Sequence, residues 1–594
     1  MFDNRSIQEI PLTSAFFRRR VEQFLEANGL RMETLDAYFT VQNAEGEILA
    51  GAGLDGDTIK CVAVREEMRS EGLTAPLISH IITSTGGRNL LVYTKPENEA
   101  IFESLGFHAL ARAPKAVLLE NGRGLERYCD YLRSMARPGK CGVVVMNANP
   151  FTLGHRYLLE QAVSQVDTLF VIPVREDRSL FPYAERVRMI QEGIPGPAGN
   201  VVILDGSVYS ISAATFPTYF LKDLSDAAET QMRLDLDLFS RHLAPALGAS
   251  VRFVGSEPTD LLTARYNVLM KEYIHTVEIP RLEIPGQAGN DVMTGLTGND
   301  VMPGSDRASV SASAVRSALE RGSFRAASAL TPKSTWPYLL AYLADRALRL
   351  ELDTPLKPGL VGPDGPGAHK DMDYSTMLAG ICALRPFWPG MAQASSAEEL
   401  RTLGIDAEKA MLSATHGVNT HRGAIFALGL ALNAAFSAEA APGRRMEVLD
   451  NQKLMQKRMG QISQAVLYKS LEISKMHSTA SRKELQLIGA RRIALTGYKE
   501  LFEDWLPFYR GAKGKVPHAE QMTLLRIMST LDDTCVIKRV GKERAEEVKR
   551  EADALLKGMA GHLKDLCTRY ANEGISPGGA ADMLALTIFI DSII

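Results

Sequence analysis

Two α/β domains followed by a mostly α-helical domain form the fold class this sequence predicts, on three observations. The chain has 594 residues, more than one hydrophobic core accommodates. Through its first part, apolar runs of strand length alternate with amphipathic helical stretches, the rhythm of α/β sheets. After Trp336, β-branched runs become scarce and long helical patterns take over.

Between Ala37 and Phe107, the runs Tyr38–Val41, Ile59–Val64 and Leu90–Tyr93 read as strands separated by helical sequence, which sets a first domain at 1–135. The break Arg137-Pro138-Gly139-Lys140 opens a second α/β domain, 138–335. Its strands are expected at Gly142–Met146, Thr168–Pro173, Val201–Leu204 and Val251–Val254. Helix-like sequence follows each of them, so this sheet is expected to be parallel. Within that domain Gly289-Asn290-Asp291-Val292-Met293 recurs as Gly298-Asn299-Asp300-Val301-Met302 in a Gly-rich run, 285–305. The run has no hydrophobic period and reads as a surface-loop insertion. The third domain, 336–594, is helical, with patterns such as Met411–Leu432 and Gln521–Ile537.

Hydrophobic residues make up 45% and charged residues 23%, as in ordinary globular domains. A net charge of −3 gives no bulk attraction to nucleic acid or an anionic membrane, and neither is expected as a partner. The six cysteines are scattered without a Cys-x-x-Cys pair, against a zinc site or a disulfide framework. The first residues carry no apolar signal run, and the apolar stretch Met583–Ile590 is too short for a membrane span. A cytoplasmic location is expected.

The sharpest chemical signal is Val143-Val144-Val145-Met146-Asn147-Ala148-Asn149-Pro150-Phe151-Thr152-Leu153-Gly154-His155. An apolar strand ends in a polar turn, and a helix opens by His155. Backbone N–H groups at such a helix start favour a phosphate, and Gly154 lets the main chain approach it closely. The His155 imidazole can donate to a phosphoryl oxygen as charge builds. The competing reading makes Thr152 an N-cap and His155 a surface residue. Farther on, Val310-Ser311-Ala312-Ser313-Ala314-Val315-Arg316 opens another predicted helix with two hydroxyls and a guanidinium suited to phosphate.

These two motifs, in this order, resemble the His-x-Gly-His nucleotidyltransferase superfamily, with Thr152 in place of the first histidine and Ser311–Arg316 like its Ser-Ser-Thr-x-Ile-Arg element. The segments Asn147–Leu158, Glu176–Tyr183, Ser210–Pro217, Val254–Pro258 and Tyr266-Asn267 narrow the resemblance to the citrate lyase ligase family over roughly residues 1–335. The resemblance implies a Rossmann-like domain in which acetate attacks the α-phosphate of ATP. The resulting acetyl-adenylate then acetylates the thiol of the prosthetic group on the citrate lyase acyl carrier subunit. It implies catalytic roles for Thr152, His155 and Arg316, and ATP contacts from Asn147, Asn149, Phe151, Gly154, Ser311 and Ser313. The 285–305 run falls where that family runs straight through, just before Arg316.

In the first domain Arg69-Ser70-Glu71-Gly72-Leu73-Thr74 resembles the pyrophosphate loop of GNAT acetyltransferases, and Asn98–Phe102 with Gly106-Phe107 resembles a later element of that fold. Free N–H groups around Arg69 and Gly72 could hold the pyrophosphate of a coenzyme A-like arm. No general base stands out, so a retained fold without catalysis is the competing reading.

Polar residues punctuate the helical third domain: Asp353–Val361, Gly367–Asp373, Thr415–Ala424, Gly489–Arg491, Asp532–Thr534 and Ser576–Asp582. Asp371, Asp373, Asp532 and Asp533 are hard-oxygen ligands suited to Mg²⁺, and Lys357, Arg422 and Arg491 are suited to phosphate. Together these stretches resemble the triphosphoribosyl-dephospho-CoA synthase family over about 345–594. The resemblance implies a second ATP site, at which the 2′-hydroxyl of dephospho-CoA displaces adenine from the ATP ribose. Proton transfer would fall to His369 or His421, either of which could equally be a satisfied structural residue. The combined expectation is a bifunctional enzyme of citrate lyase maturation. The alternatives are the same service to another carrier-dependent enzyme, such as malonate decarboxylase, or a non-catalytic carrier-binding scaffold.

Overall fold

The computed structural model describes residues 7–176, 179–194, 199–210, 216–217, 225–256, 261–285, 307–439, 448–477, 490–559 and 562–594. The chain forms two compact units, Met1–Glu283 and Ile284–Ile594.

The first unit holds two sheets. A mixed seven-stranded sheet has the order β1-β2-β3-β4-β5-β7-β6, from β1 (Ile7–Ile10), β2 (Ala37–Gln42), β3 (Ile48–Asp55), β4 (Thr58–Val64), β5 (Leu91–Thr94), β6 (His108–Ala113) and β7 (Ala116–Glu120). Only β4 and β5 run parallel. Sequence patterning found β2, β4 and β5 but not β3. Its Ala-Gly-Ala-Gly centre has poor strand propensity, yet the small residues are what fit there. A Cβ on Gly51 would lie 2.5 Å from the Tyr38 hydroxyl, and one on Gly53 would lie 2.7 Å from Leu35.

The second sheet is parallel, with the order β10-β9-β8-β11-β12, from β8 (Cys141–Met146), β9 (Thr168–Pro173), β10 (Val201–Ile203), β11 (Ala249–Gly255) and β12 (Thr276–Ile279). Four of its five strands match the apolar runs. β12 is only four residues long and has one buried residue, too little period to be read. The chain moves outward from β8 to β9 on one side and to β11 on the other. This makes the carboxyl end of β8 the switch point at which open parallel sheets bind ligands.

The second unit is helical apart from two three-residue strands, Glu283–Pro285 and Arg307–Ser309, which pair with each other. They bracket the Gly-rich insertion, which, apart from Pro285, lies outside the described residues, as do 177–178, 211–215, 257–258 and 489 of the segments quoted above. Trp336–Asp353 and Gly578–Ile593 pack together as the central helices. The two long helical patterns are each broken. Met411–Leu432 is interrupted at Thr415–His421, where His416 and Gly417 adopt φ of 53° and 88°. Gln521–Ile537 is interrupted at Leu531–Asp533, where Asp533 caps the next helix, Thr534–Leu556. Both breaks fall on polar stretches, Thr415–His421 and Asp532–Asp533, which the two long patterns span. Among the described residues no helix is long and apolar enough to cross a membrane.

Candidate functional site

At the carboxyl end of β8 the chain turns through Asn147-Ala148-Asn149-Pro150, with a cis bond before Pro150 and φ of 48° at Ala148, and enters the helix Leu153–Val163. Thr152 is the N-cap of that helix, as the competing reading expects, and His155 is its third residue. The Thr152 hydroxyl accepts from the His155 N–H at 3.3 Å, and the Thr152 N–H donates to His155 Nδ1 at 3.0 Å. This is a capping box with imidazole in the acidic partner's place. Because Nδ1 is the acceptor, the neutral ring carries its proton on Nε2. The ring also stacks on fully buried Phe151, centroids 5.8 Å apart. Burial lowers the His155 pKa to about 4, so the ring is a neutral donor at physiological pH.

The turn is held from beneath by Arg186, which sits in the helix Tyr183–Gly193 and is fully buried. Its guanidinium donates to Asn147 O at 2.7 Å, Asn147 Oδ1 at 2.6 Å, Val174 O at 3.0 Å and Phe181 O at 3.0 Å, and also to Glu176 O. The Asn149 carboxamide accepts from the Phe181 N–H at 3.2 Å. Asn147, Asn149 and Phe151 thus shape the turn from within, while Gly154 and His155 stand at the helix start. Asn267 donates to Gly255 O at 2.9 Å, tying its helix to the end of neighbouring β11.

In the second unit Ser311 caps the helix Ala312–Glu320 by accepting from the Ala314 N–H at 3.1 Å. Ser313 Oγ lies 3.1 Å from Ser311 Oγ, and Arg316 is half-buried one turn on, its pKa lowered by burial. In the first unit Arg69 lies in the last turn of the 3₁₀ helix Glu66–Glu71, and Gly72, at φ of 69°, leads from it toward the helix Thr74–Ser84.

The second unit encloses a cavity of about 380 Å³, with His369, His421, Arg422, Lys538, Arg539 and Asp582 among its lining. His369 Nε2 lies 2.8 Å from Ser576 Oγ, and its Nδ1 lies 3.7 Å from Asp371. Burial and the Arg539 charge lower its pKa. His421 is 3% exposed, with Nδ1 2.8 Å from Thr420 Oγ1 and Nε2 without a partner. Burial, with the Lys357 charge second, takes its pKa down to about 3.

That depression carries a stability consequence. Above pH 6.5 the ring is neutral whether folded or unfolded and contributes nothing. Below 6.5 the unfolded chain takes up a proton that folded His421 refuses until about pH 3, so stability falls as pH falls through this window. At pH 5 the loss is about 2 kcal/mol. Urea unfolding of the second unit at pH 7 and pH 5, in wild type and His421→Gln, should show the wild type losing that much more. Equal losses would contradict the buried neutral ring.

Lys357 is buried and donates to Glu351 Oε1 and Glu351 O, both at 2.6 Å, so its ammonium is committed inward rather than presented to a phosphate. Asp373 caps the helix Tyr374–Leu384, and its pKa is lowered to about 2 by hydrogen bonds from Ser375 and Thr376. Asp533 is buried and accepts from the Cys535 and Ala580 N–H groups, while Asp532 pairs with Lys549 at 2.5 Å. Arg422 pairs with Glu408. Arg491 lies in the helix Ala490–Leu495, and its side chain lies outside the description. Among the described residues no three acidic, histidine or cysteine side chains converge as a metal site.

Against known proteins, residues 141–339 match the model for the citrate lyase ligase C-terminal domain, and 337–594 match that for ATP:dephospho-CoA triphosphoribosyl transferase. A [citrate [pro-3S]-lyase] ligase of Klebsiella pneumoniae is 39% identical over 54% of this chain and 92% of its own length. That of Escherichia coli is 37% identical over 57% of this chain and 95% of its own length. A protein of Azotobacter vinelandii named "probable 2-(5″-triphosphoribosyl)-3′-dephosphocoenzyme-A synthase" is 34% identical over 45% of this chain and 94% of its own length. The chain belongs to both the citrate lyase ligase and the triphosphoribosyl-dephospho-CoA synthase families.

In the ligase part sequence reasoning missed Arg186. The signal was present: Arg186, Met189, Ile190 and Gly193 form one buried stripe at helical spacing. In the synthase part it quoted Asp582 only as a motif end. Asp582 is one of two carboxylates, with Asp591, in the largely apolar helix Gly578–Ile593, and it lies where a Cβ on Gly423 would fall, 1.9 Å from Oδ2. Burial, then the Asp533 and Glu351 charges, raise its pKa.

Proposed function

We propose that the two parts serve successive needs of citrate lyase: the synthase part makes the prosthetic-group precursor from ATP and dephospho-CoA with release of adenine, and the ligase part acetylates the mounted thiol through acetyl-adenylate. The observation that carries the ligase half is the His155 Nε2–H donor, fixed by a capping box at the switch point of a parallel sheet. The seven-stranded sheet, with the Arg69–Gly72 turn between β4 and a helix, supports a GNAT-like domain at 1–135. The strand order β10-β9-β8-β11-β12 supports a Rossmann-like nucleotidyltransferase domain at 138–335, followed by the synthase domain at 336–594.

At the ligase site Gly154 and the helix N-terminus receive phosphate, His155 donates to the charge building on the α-phosphoryl oxygens, and Thr152 sets its tautomer. Ser311, Ser313 and Arg316 are assigned to the β- and γ-phosphates by family pattern. The substrate is acetate, and the acceptor is the thiol of the citrate lyase acyl carrier subunit. In the synthase part His369, beside Ser576, is the candidate proton acceptor, and His421, which stays neutral down to about pH 3, is a hydrogen-bonding group rather than a base, while Asp582 holds a carboxyl with raised proton affinity, which suits giving a proton to departing adenine. Arg422 and Arg539 carry phosphate charge. A Mg²⁺ ion would be held by Asp371 at the cavity rim, with phosphates and water as its other ligands. This fits the single exposed carboxylate there, and the ion would offset triphosphate charge.

Product analysis with each co-substrate supplied separately tests the reading. ATP, acetate and the thiol-bearing carrier are expected to yield AMP and pyrophosphate, and ATP with dephospho-CoA to yield adenine. Adenine absent from the second mixture would remove the synthase half, and acetate-independent pyrophosphate release would remove the ligase half.

A further inference from the structure

The reaction proposed for the synthase part joins two nucleotides, and its unit holds two cavities that share a wall. Beside the cavity of about 380 Å³ lies one of about 710 Å³. Both are lined by Asn419, Arg422, Gly423, Cys535, Lys538 and Asp582. Resting on the family reading above, we propose that the smaller cavity is the subsite for the nucleoside triphosphate and the larger one the subsite for dephospho-CoA, with the reacting ribose atoms meeting at the shared wall.

Size and carboxylate charge separate the two occupants. Each cavity adds one arginine to the shared Arg422 and Lys538, Arg539 in the smaller and Arg401 in the larger, but beside the shared Asp582 the smaller is lined by only two carboxylates, Asp371 and a Glu351 already paired with Lys357, against three in the larger. The smaller cavity also contains the buried, unpartnered Nε2 of His421, a polar atom whose desolvation is offset only when something bonds to it. A ring nitrogen or the amino group of adenine supplies that partner.

The larger cavity has nearly twice the volume. Its own wall includes Ile405, Phe426, Leu430, Val466 and Leu467, with Arg401 as the added cation. A cavity of this volume has room for more than a nucleotide, and its apolar wall runs along the added space. That wall suits the pantetheine arm, whose gem-dimethyl and methylene groups run between amides. Glu408, Asp532 and Asp533 also line this side, and their charge disfavours the tetra-anionic substrate.

At the wall, Gly423 lets the Asp582 carboxylate lie against the start of the helix Arg422–Glu439, where the Ala424 N–H donates to it. With the substrates so placed, the C1′–N9 bond of ATP breaks with its electron pair on adenine. The 2′-oxygen of dephospho-CoA forms the new C1′–O bond, and the proton of that hydroxyl ends on the released adenine.

Gly404, in the helix Ala397–Ala414, lines the larger cavity alone, and a Cβ there would meet nothing within 4 Å. Gly404→Phe therefore fills that cavity without a backbone clash, and replacing a helical glycine favours the fold. In the full-length enzyme it is expected to raise KM for dephospho-CoA at least tenfold and leave KM for ATP within twofold. Arg539→Gln, lining only the smaller cavity, is expected to do the reverse. Equilibrium dialysis of dephospho-CoA without ATP checks binding directly, and acetate-dependent pyrophosphate release by the same chain reports an intact fold. Should Gly404→Phe lose that activity too, Ile405→Trp fills the same cavity from the neighbouring position and is read in the same way. A larger effect on ATP than on dephospho-CoA, or no effect on either, overturns the assignment. Wild-type enzyme that releases no adenine overturns the family reading instead.

Discussion

Replacing His155 with alanine is expected to lower acetate-dependent pyrophosphate release by about 10²–10³-fold, the loss typical of one preorganised donor to transition-state charge. The same variant is expected to keep adenine release from ATP and dephospho-CoA within twofold of wild type. It also removes the imidazole that accepts from the Thr152 N–H, which costs about 1 kcal/mol of helix stability. That cost is too small to unfold the domain, so the activity loss reports chemistry. Ligase activity within fivefold of wild type would exclude His155 from the reacting phosphate.

Arg186→Leu is expected to be equally damaging for a different reason. The guanidinium satisfies five oxygen acceptors in a fully buried position, and leucine satisfies none. Loss of such a buried charged donor costs about 3–5 kcal/mol. Arg186→Lys keeps the charge but cannot span acceptors on Asn147, Val174, Glu176 and Phe181 at once. Both variants should lose ligase activity while adenine release persists, and the lysine variant should retain more stability than the leucine one. Urea unfolding followed in the first unit, alongside the two product assays, separates these outcomes. Normal ligase activity in Arg186→Leu would show that the Asn147 turn holds its shape without the clamp.

The contrast between these two residues shows what the sequence makes legible. His155 is readable because it follows an apolar strand and a polar turn, so its place at a helix start comes from local pattern. Arg186 acts through four distant carbonyls and one side chain, and a charged residue in a helix otherwise reads as solvated. Only its place within a buried stripe betrays it. Lys357 misleads in the opposite sense. In a Pro- and Gly-rich stretch it reads as an exposed phosphate ligand, but the chain reverses at Gly359, with φ of 71°, and the ammonium pairs with Glu351. The strand β3 was hidden because its glycines serve the packing of Tyr38 and Leu35 rather than strand propensity. Local chemistry was legible. Partners made by long-range packing were not.

The capping box at Thr152 has a consequence for what can stand at position 155. The helix start asks that side chain for an acceptor on one edge, and the phosphate role proposed for it asks for a donor on the other. A neutral imidazole offers both at a fixed separation in a rigid plane. Lysine and arginine offer only donors and glutamate only acceptors, so each meets one demand and fails the other. Architecture and chemistry are therefore encoded by a single letter, and drift at this position cannot trade one for the other.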